Sequence, residues 1–222
     1  MFYLSGCYRQ QSKNAASLLL QQCRCGHAHM LFACVCSGKG EDAEKAGDYM
    51  TERLWQWFRG LDGKKPTRNL GRGMRRLAKS LEETVRRIDL EWSKLQNSER
   101  VDFSGVFCLE DNYLLIHRGQ TRIYLMNTAF GRGHARRLDG EKGRRELEME
   151  QGILQQDVGL LFATESFFDW VTDKILAEGL FVGETPTEEQ MERHLKELAG
   201  EGERKGSLGV GAIFVRTVGG GR

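Results

Sequence analysis

VDFSGVFCLEDNYLLIHRGQTRIYLM, residues 101–126, is the stretch that decides the fold. Val101 to Leu109, Tyr113 to His117 and Arg122 to Met126 are apolar runs of strand length. Glu110-Asp111-Asn112 and Gly119-Gln120, which separate them, are turn-prone. Connections this short cannot cross over to a parallel neighbour, so the runs must form an antiparallel meander.

On the N-terminal side lies a long periodic stretch. Leu70, Met74, Leu77, Leu81, Val85, Ile88, Trp92 and Leu95 recur at steps of three and four and predict one amphipathic helix. Its other faces carry Arg72, Arg75, Arg76, Lys79, Arg86 and Arg87, interleaved with Glu82, Glu83, Asp89 and Glu91, which reads as a solvated surface. Before it, Ala43, Ala46, Gly47, Met50, Leu54, Trp57 and Phe58 predict a second helix, closed by a loop from Gly60 to Pro66. Earlier still, Ala16 to Gln22 and Met30 to Cys36 predict two strands around a turn at Gly26.

On the C-terminal side, Gly131 to Arg145 is rich in glycine and arginine and predicts a mobile loop. Val158 to Ala163 reads as a buried strand and Phe167 to Leu176 as a helix. A further helix is predicted from Thr185, with Thr185 as cap, Pro186 in the first position and Glu188 closing a capping box. Met191, Leu195 and Leu198 are its apolar face. Gly209 to Val218 reads as a final strand. Runs of strands followed by helices indicate α+β, with a sheet-on-sheet core covered by helices, in a single domain spanning 1–222.

The 222 residues suffice for one large domain. With Lys+Arg 33 against Asp+Glu 31, the net charge of +2 argues for neither nucleic acid nor a membrane surface. Binding of nucleic acid through the arginines of the long helix and the 131–145 loop lacks aromatic interleaving and a recognition motif. No apolar run approaches the roughly 18 residues of a bilayer span, and Met1 to Gly6 shows no secretory pattern. The expectation is a cytoplasmic protein. Cysteines 7, 23, 25, 34, 36 and 108 then read as reduced thiols. Cys23, Cys25, His27 and His29 form a zinc-like group, but neighbours on one strand face stand roughly 6.5–7 Å apart. That spacing is too wide for adjacent tetrahedral ligands, and a plain hairpin is the better reading.

Four segments resemble, in order and setting, those of the metal-dependent (PPM, type 2C) protein serine/threonine phosphatases. They are Val35-Cys36-Ser37-Gly38-Lys39-Gly40, Arg118-Gly119-Gln120-Thr121-Arg122-Ile123-Tyr124-Leu125, Leu160-Leu161-Phe162-Ala163-Thr164-Glu165-Ser166 and Gly209-Val210-Gly211-Ala212-Ile213-Phe214-Val215-Arg216. The resemblance covers nearly the whole chain. It implies an αββα sandwich of two antiparallel sheets flanked by helix pairs, with a site between the sheets where carboxylates hold two manganese or magnesium ions.

The same resemblance implies that most of those carboxylates have been replaced. The early Asn-Glu-Asp motif matches Asn14-Ala15-Ala16, and the phosphate-gripping Arg that precedes it becomes Gln11, with Arg9 nearby. The bridging Asp becomes Ser37, beside a retained Gly38, and Lys39 follows. Gly-Asp-Ser-Arg becomes Gly119-Gln120-Thr121-Arg122. The late Ser-Asp-Gly becomes Thr164-Glu165-Ser166, and the terminal Asp-Asn becomes Leu208-Gly209. Glu165 is thus the one carboxylate left at these positions, and Glu41 and Asp42 suit the N-terminus of the next helix. The flap region, about 127–157, is short.

These replacements imply a bacterial pseudophosphatase that binds proteins or phospho-ligands in signalling, with no catalytic residues, no metal and no cofactor. Its partner would be a kinase, a phosphatase or a phosphoprotein, with Arg9, Lys39 and Arg122 as possible anion contacts. The alternative is a divergent metal-dependent phosphatase using Glu165, Glu41 or Asp42 to bind manganese or magnesium weakly.

Overall fold

The computed structural model describes residues 2–9, 16–25, 28–38, 42–61, 70–96, 101–129, 132–138, 146–155, 158–169, 171, 176, 187–200 and 210–218. Among them run β1 (Phe2–Arg9), β2 (Ser17–Cys25), β3 (Ala28–Ser37), α1 (Ala43–Arg59), α2 (Leu70–Gln96), β4 (Asp102–Leu109), β5 (Asn112–Arg118), β6 (Arg122–Ala129), β7 (Arg132–Arg137), β8 (Glu148–Ile153), β9 (Val158–Ala163), α3 (Glu188–Ala199) and β10 (Gly211–Val218). They build two five-stranded sheets, β1-β10-β9-β6-β7 and β2-β3-β4-β5-β8. All strand pairs are antiparallel.

Only the first half of the predicted meander forms: β4 and β5 pair across the Glu110 corner, whereas β6 leaves for the other sheet. Glu110 takes a positive φ of 53° and Gly119 one of 88° at the two corners. The second corner then carries the chain from one sheet into the other, because β5 and β6 do not pair.

Strand alternation sends one set of side chains between the sheets and the other toward the helices. Leu31, Ala33, Val35, Val106, Cys108 and Leu115 meet Leu160, Phe162, Ile213 and Val215 in the inter-sheet core. On the other face of the β2–β8 sheet, Phe32, Cys34, Phe103, Phe107, Leu114 and Ile116 pack under Met50, Leu54 and Phe58 of α1 and Leu81, Val85, Ile88 and Trp92 of α2. On the outer face of the other sheet, Leu161, Ala163 and Phe214 pack with Phe167, Met191 and Leu195. The apolar stripe of α2 ends before Leu95, which is exposed at 65%. Its basic face pairs along the helix, Arg86 with Glu82 at 2.6 Å and Lys79 with Glu83 at 4.0 Å.

Several expectations are corrected. Residues 132–137 of the predicted 131–145 loop form an edge strand on β6. The charged sequence Arg132-Gly133-His134-Ala135-Arg136-Arg137 suits an edge, where charge discourages pairing with other chains, and so carries no apolar alternation. β8 was masked by the same polarity and extends the other sheet beside β5. β1 was hidden by Ser5-Gly6, yet the smallness of Gly6 is what α3 requires. A Cβ there would lie 2.9 Å from the Cβ of Met191.

The helix predicted from Phe167 begins instead as a 3-10 turn over Glu165–Asp169. α3 starts at Glu188 rather than Pro186. Thr187 caps it by accepting from Gln190 N at 3.2 Å, and Gln190 Oε1 accepts from Thr187 N at 2.7 Å. Thr187 takes the extended backbone of a cap, with φ −75° and ψ 164°, so helical geometry begins only after it. Thr185 and Pro186 lie outside the described residues.

Candidate functional site

The antiparallel registers carry the singled-out positions to one end of the molecule. In the β2–β8 sheet, Ser17 opposes Cys36, Ser37 opposes Asp102, and Phe103 opposes Arg118. In the other sheet, Arg9 opposes Gly211, Ala212 opposes Ala163, and Ala163 opposes Arg122. The two ends touch where Ala16 meets Gly211. A Cβ on Gly211 would fall 2.7 Å from that of Ala16 and 2.9 Å from Leu18 Cδ2. Ala16, Ser37, Gly38, Arg9, Arg122 and Glu165 therefore share one end of the sandwich. Lys39, Leu208, Glu41, Gln11 and Asn14 lie outside the described residues.

The polar groups at this end are engaged with one another. Thr164, fully buried, accepts from Gly211 N at 3.2 Å and contacts Ser166 Oγ at 3.1 Å. Together with the backbone bond from Thr164 N to Gly211 O at 2.9 Å, this stitches the end of β9 to the start of β10. Ser17 donates to Asp48 Oδ1 at 2.5 Å across to α1. Arg9 pairs with Glu44 at 3.1 Å, and Asp42 with Lys45 at 3.0 Å. Asp102 accepts from Gln120 N at 3.1 Å and so holds the second meander corner. Arg122 lies 3.7 Å from Glu165 and over the Phe168 ring at 5.1 Å.

Among the described residues this donor set does not fit a pair of hard divalent cations. Such ions are held by several oxygen ligands, mainly carboxylates. Here Ala16 offers a methyl, Ser37 a hydroxyl and Gly38 a carbonyl, while the carboxylate of Glu165 faces a guanidinium. Among the described residues no group of three or more His, Cys, Asp or Glu has metal-binding geometry. The zinc-like group fares no better. Cys23 opposes Met30 while His29 opposes Arg24, so Cys23 and His29 project from opposite faces of the hairpin. The His29 ring instead accepts from Arg24 Nε at 3.3 Å.

Near this end Cys34 and Cys36 meet at 3.7 Å under the helices. Burial, reinforced by Cys36, pushes the Cys34 thiol well above its usual range, and burial does the same to Cys108. Both are protonated structural thiols rather than nucleophiles.

Arg118 and Asp89, which the motifs did not single out as a pair, anchor α2 beside this end. Arg118 Nη1 and Nη2 reach Asp89 Oδ2 and Oδ1 at 2.5 and 3.0 Å, and Arg118 Nε and Nη2 donate to Val101 O at 3.1 and 2.9 Å. The guanidinium also lies over Phe103 at 5.0 Å. The interleaved charges of α2 were a sequence signal for a solvated face only; nothing local marked Asp89 as the one turned inward.

No protein-family model and no curated protein matches this sequence. Solved structures do match. The catalytic domain of the serine/threonine protein phosphatase PstP, in complex with two manganese ions, superposes with a TM-score of 0.67 at 16% identity, covering 98% of each chain. The serine/threonine phosphatase Stp1 from Staphylococcus aureus gives 0.65 at 14% identity, covering 99% of this chain and 96% of that one. PppA, a key regulatory component of T6SS in Pseudomonas aeruginosa, gives 0.62 at 13% identity over 97% and 98%. The chain therefore has the fold of the type 2C phosphatase catalytic domains, over nearly its whole length.

Proposed function

We propose that this chain is a pseudophosphatase, a type 2C phosphatase fold that acts by binding a protein or phospho-ligand in cytoplasmic signalling rather than by hydrolysis. The observation that carries the reading is the donor set at the shared strand end. Where the resemblance expects acids, Ala16 packs a methyl against Gly211, Ser37 offers a hydroxyl, and Glu165 is opposed by Arg122. In the family it resembles, paired metals lower the pKa of a bridging water. Residues that cannot retain such ions cannot prepare that water.

Arg9 and Arg122 supply the binding chemistry. Each is half-exposed and matched by one carboxylate, in pairs of 38%/46% and 25%/42% side-chain exposure. Pairs this open contribute only about 0–1 kcal/mol. A phosphate group, with more charge and several acceptor oxygens, competes with them effectively. That PppA is a key regulatory component of T6SS supports a signalling setting.

Calorimetric titration with manganese, run beside turnover of p-nitrophenyl phosphate, tests the reading. It predicts no saturable micromolar uptake and no metal-dependent turnover; tight uptake with turnover would establish the divergent enzyme instead. The combined variant Ala16→Asp, Ser37→Asp, Glu165→Asp and Leu208→Asp is expected to gain manganese affinity. A phosphoserine peptide that binds wild type should bind the Arg122→Ala variant about tenfold more weakly.

A further inference from the structure

A second concavity lies three strands away from Ala16 across its sheet, or about 14 Å at the usual interstrand spacing. At the lateral edge, between β5 and β8 of one sheet and β6 of the other, lies a cavity of about 420 Å³. Among the described residues it is lined by Leu115, His117, Ile123, Leu138, Glu148, Met149 and Glu150. That volume lies within the range of small-molecule sites, roughly 300–1,000 Å³.

His117 determines the chemistry of this cavity. It is 4% exposed, and its Nε2 stands 2.8 Å from Thr121 O. A carbonyl only accepts, so Nε2 carries the proton and donates. In the neutral ring Nδ1 is then a lone-pair acceptor. That Nδ1 is buried with no hydrogen-bond partner among the described residues, as are the hydroxyls of Ser104 and Thr121. Ser104, His117 and Glu148 stand in one row across β4, β5 and β8, and Leu115 opposes Glu150 one step along the same face. Glu150 accepts a long bond from Tyr113 Oη at 3.5 Å. Native proteins seldom leave such a buried acceptor unused.

The cavity thus joins an unfilled imidazole acceptor and two carboxylates to walls made by Leu115, Ile123, Leu138 and Met149. Carboxylates and a lone-pair nitrogen accept hydrogen bonds and repel anions. Among the described residues no His, Cys, Asp and Glu group has metal-binding geometry, so the lining suits an organic guest better than a metal ion. We propose that this cavity binds a small organic cation, an ammonium or guanidinium carried on an apolar body, with His117 Nδ1 and the Glu148 and Glu150 carboxylates accepting its N–H groups. This site is independent of the strand-end reading above and survives if that reading fails.

Hexylammonium, hexanol and hexanoate, matched in chain length, separate the possibilities when titrated into the full chain with methyl-labelled Leu, Ile and Met observed by NMR. Hexylammonium should shift the Leu115, Ile123, Leu138 and Met149 methyl signals saturably, and bind about tenfold or more tightly than hexanol, since charge-assisted bonds are lost with the alcohol. Hexanoate should be weakest. Glu150→Gln, an exposed substitution, should weaken hexylammonium severalfold while leaving hexanol unchanged. His117→Phe should abolish the shifts, and Glu150→Gln keeps the test decisive if that variant does not fold. Equal binding of hexanol and hexylammonium, preference for hexanoate, or the absence of saturable shifts would each overturn the proposal.

Discussion

Removing Asp89 strands a buried cation. Arg118 is 4% exposed in its side chain and Asp89 21%, with both carboxylate oxygens engaged. Breaking a fully buried pair by deleting one member costs about 3–5 kcal/mol. Asp89 is partly solvated and Arg118 keeps its bonds to Val101 O, so the cost of Asp89→Ala should fall to about 2–3 kcal/mol. For a chain of this size each kcal/mol moves Tm by about 2–4 °C, which places the shift at about 4–12 °C.

Urea unfolding of wild type, Asp89→Ala, Arg118→Met and the double variant forms a double-mutant cycle. The coupling should exceed about 1.5 kcal/mol, because the double variant no longer buries an unpaired charge. Raising salt from about 0.1 to 1 M should leave most of it, since burial limits screening. The exposed Arg86–Glu82 pair should show little coupling at any salt. A cost below about 0.5 kcal/mol for Asp89→Ala, or a coupling that vanishes with salt, would refute the reasoning.

Other positions give equally direct tests. At Gly119, with φ of 88°, an added Cβ would fall 1.9 Å from Asp102 Oδ1. Gly119→Ala should therefore cost more than the roughly 1–2 kcal/mol of left-handed backbone alone, and Asp102→Gly, which also removes the Asp102 Cβ at 2.6 Å, should relieve the excess in the double variant. Thr187→Ala should lower stability by about 1 kcal/mol by removing the cap on α3, measured by urea unfolding. Cys34 and Cys108 are held protonated by burial, whereas the unfolded thiols ionise near about 8.5. Above that pH the unfolded chain binds fewer protons than the folded one, so stability is full below it and falls as pH rises, by up to about 1.4 kcal/mol per unit per thiol. Replacing both with alanine should flatten that slope between about pH 8 and 10.

Periodicity and turn chemistry were enough to specify the β4–β5 and β2–β3 hairpins, the α1 and α2 stripes and the closing strand, but not the passage of β6 into the other sheet. Each is a repeating pattern of burial confined to neighbouring residues. The sandwich was legible through the resemblance of four short segments to the type 2C phosphatases. Tertiary structure alone decided the edge strands β7 and β8. Their sequences are dominated by polar and charged residues, so no hydrophobic pattern announces them, although Met149 and Ala135 pack against the cores. It also decided which charges count. Asp89 is one acid among many along α2, and only the packing of that helix against β5 turns it onto Arg118. His117 and Glu148 lie 31 positions apart in the chain, yet the antiparallel register sets them side by side. Short-range order is written in adjacent residues; a site assembled across strands exists only once the sheets have paired.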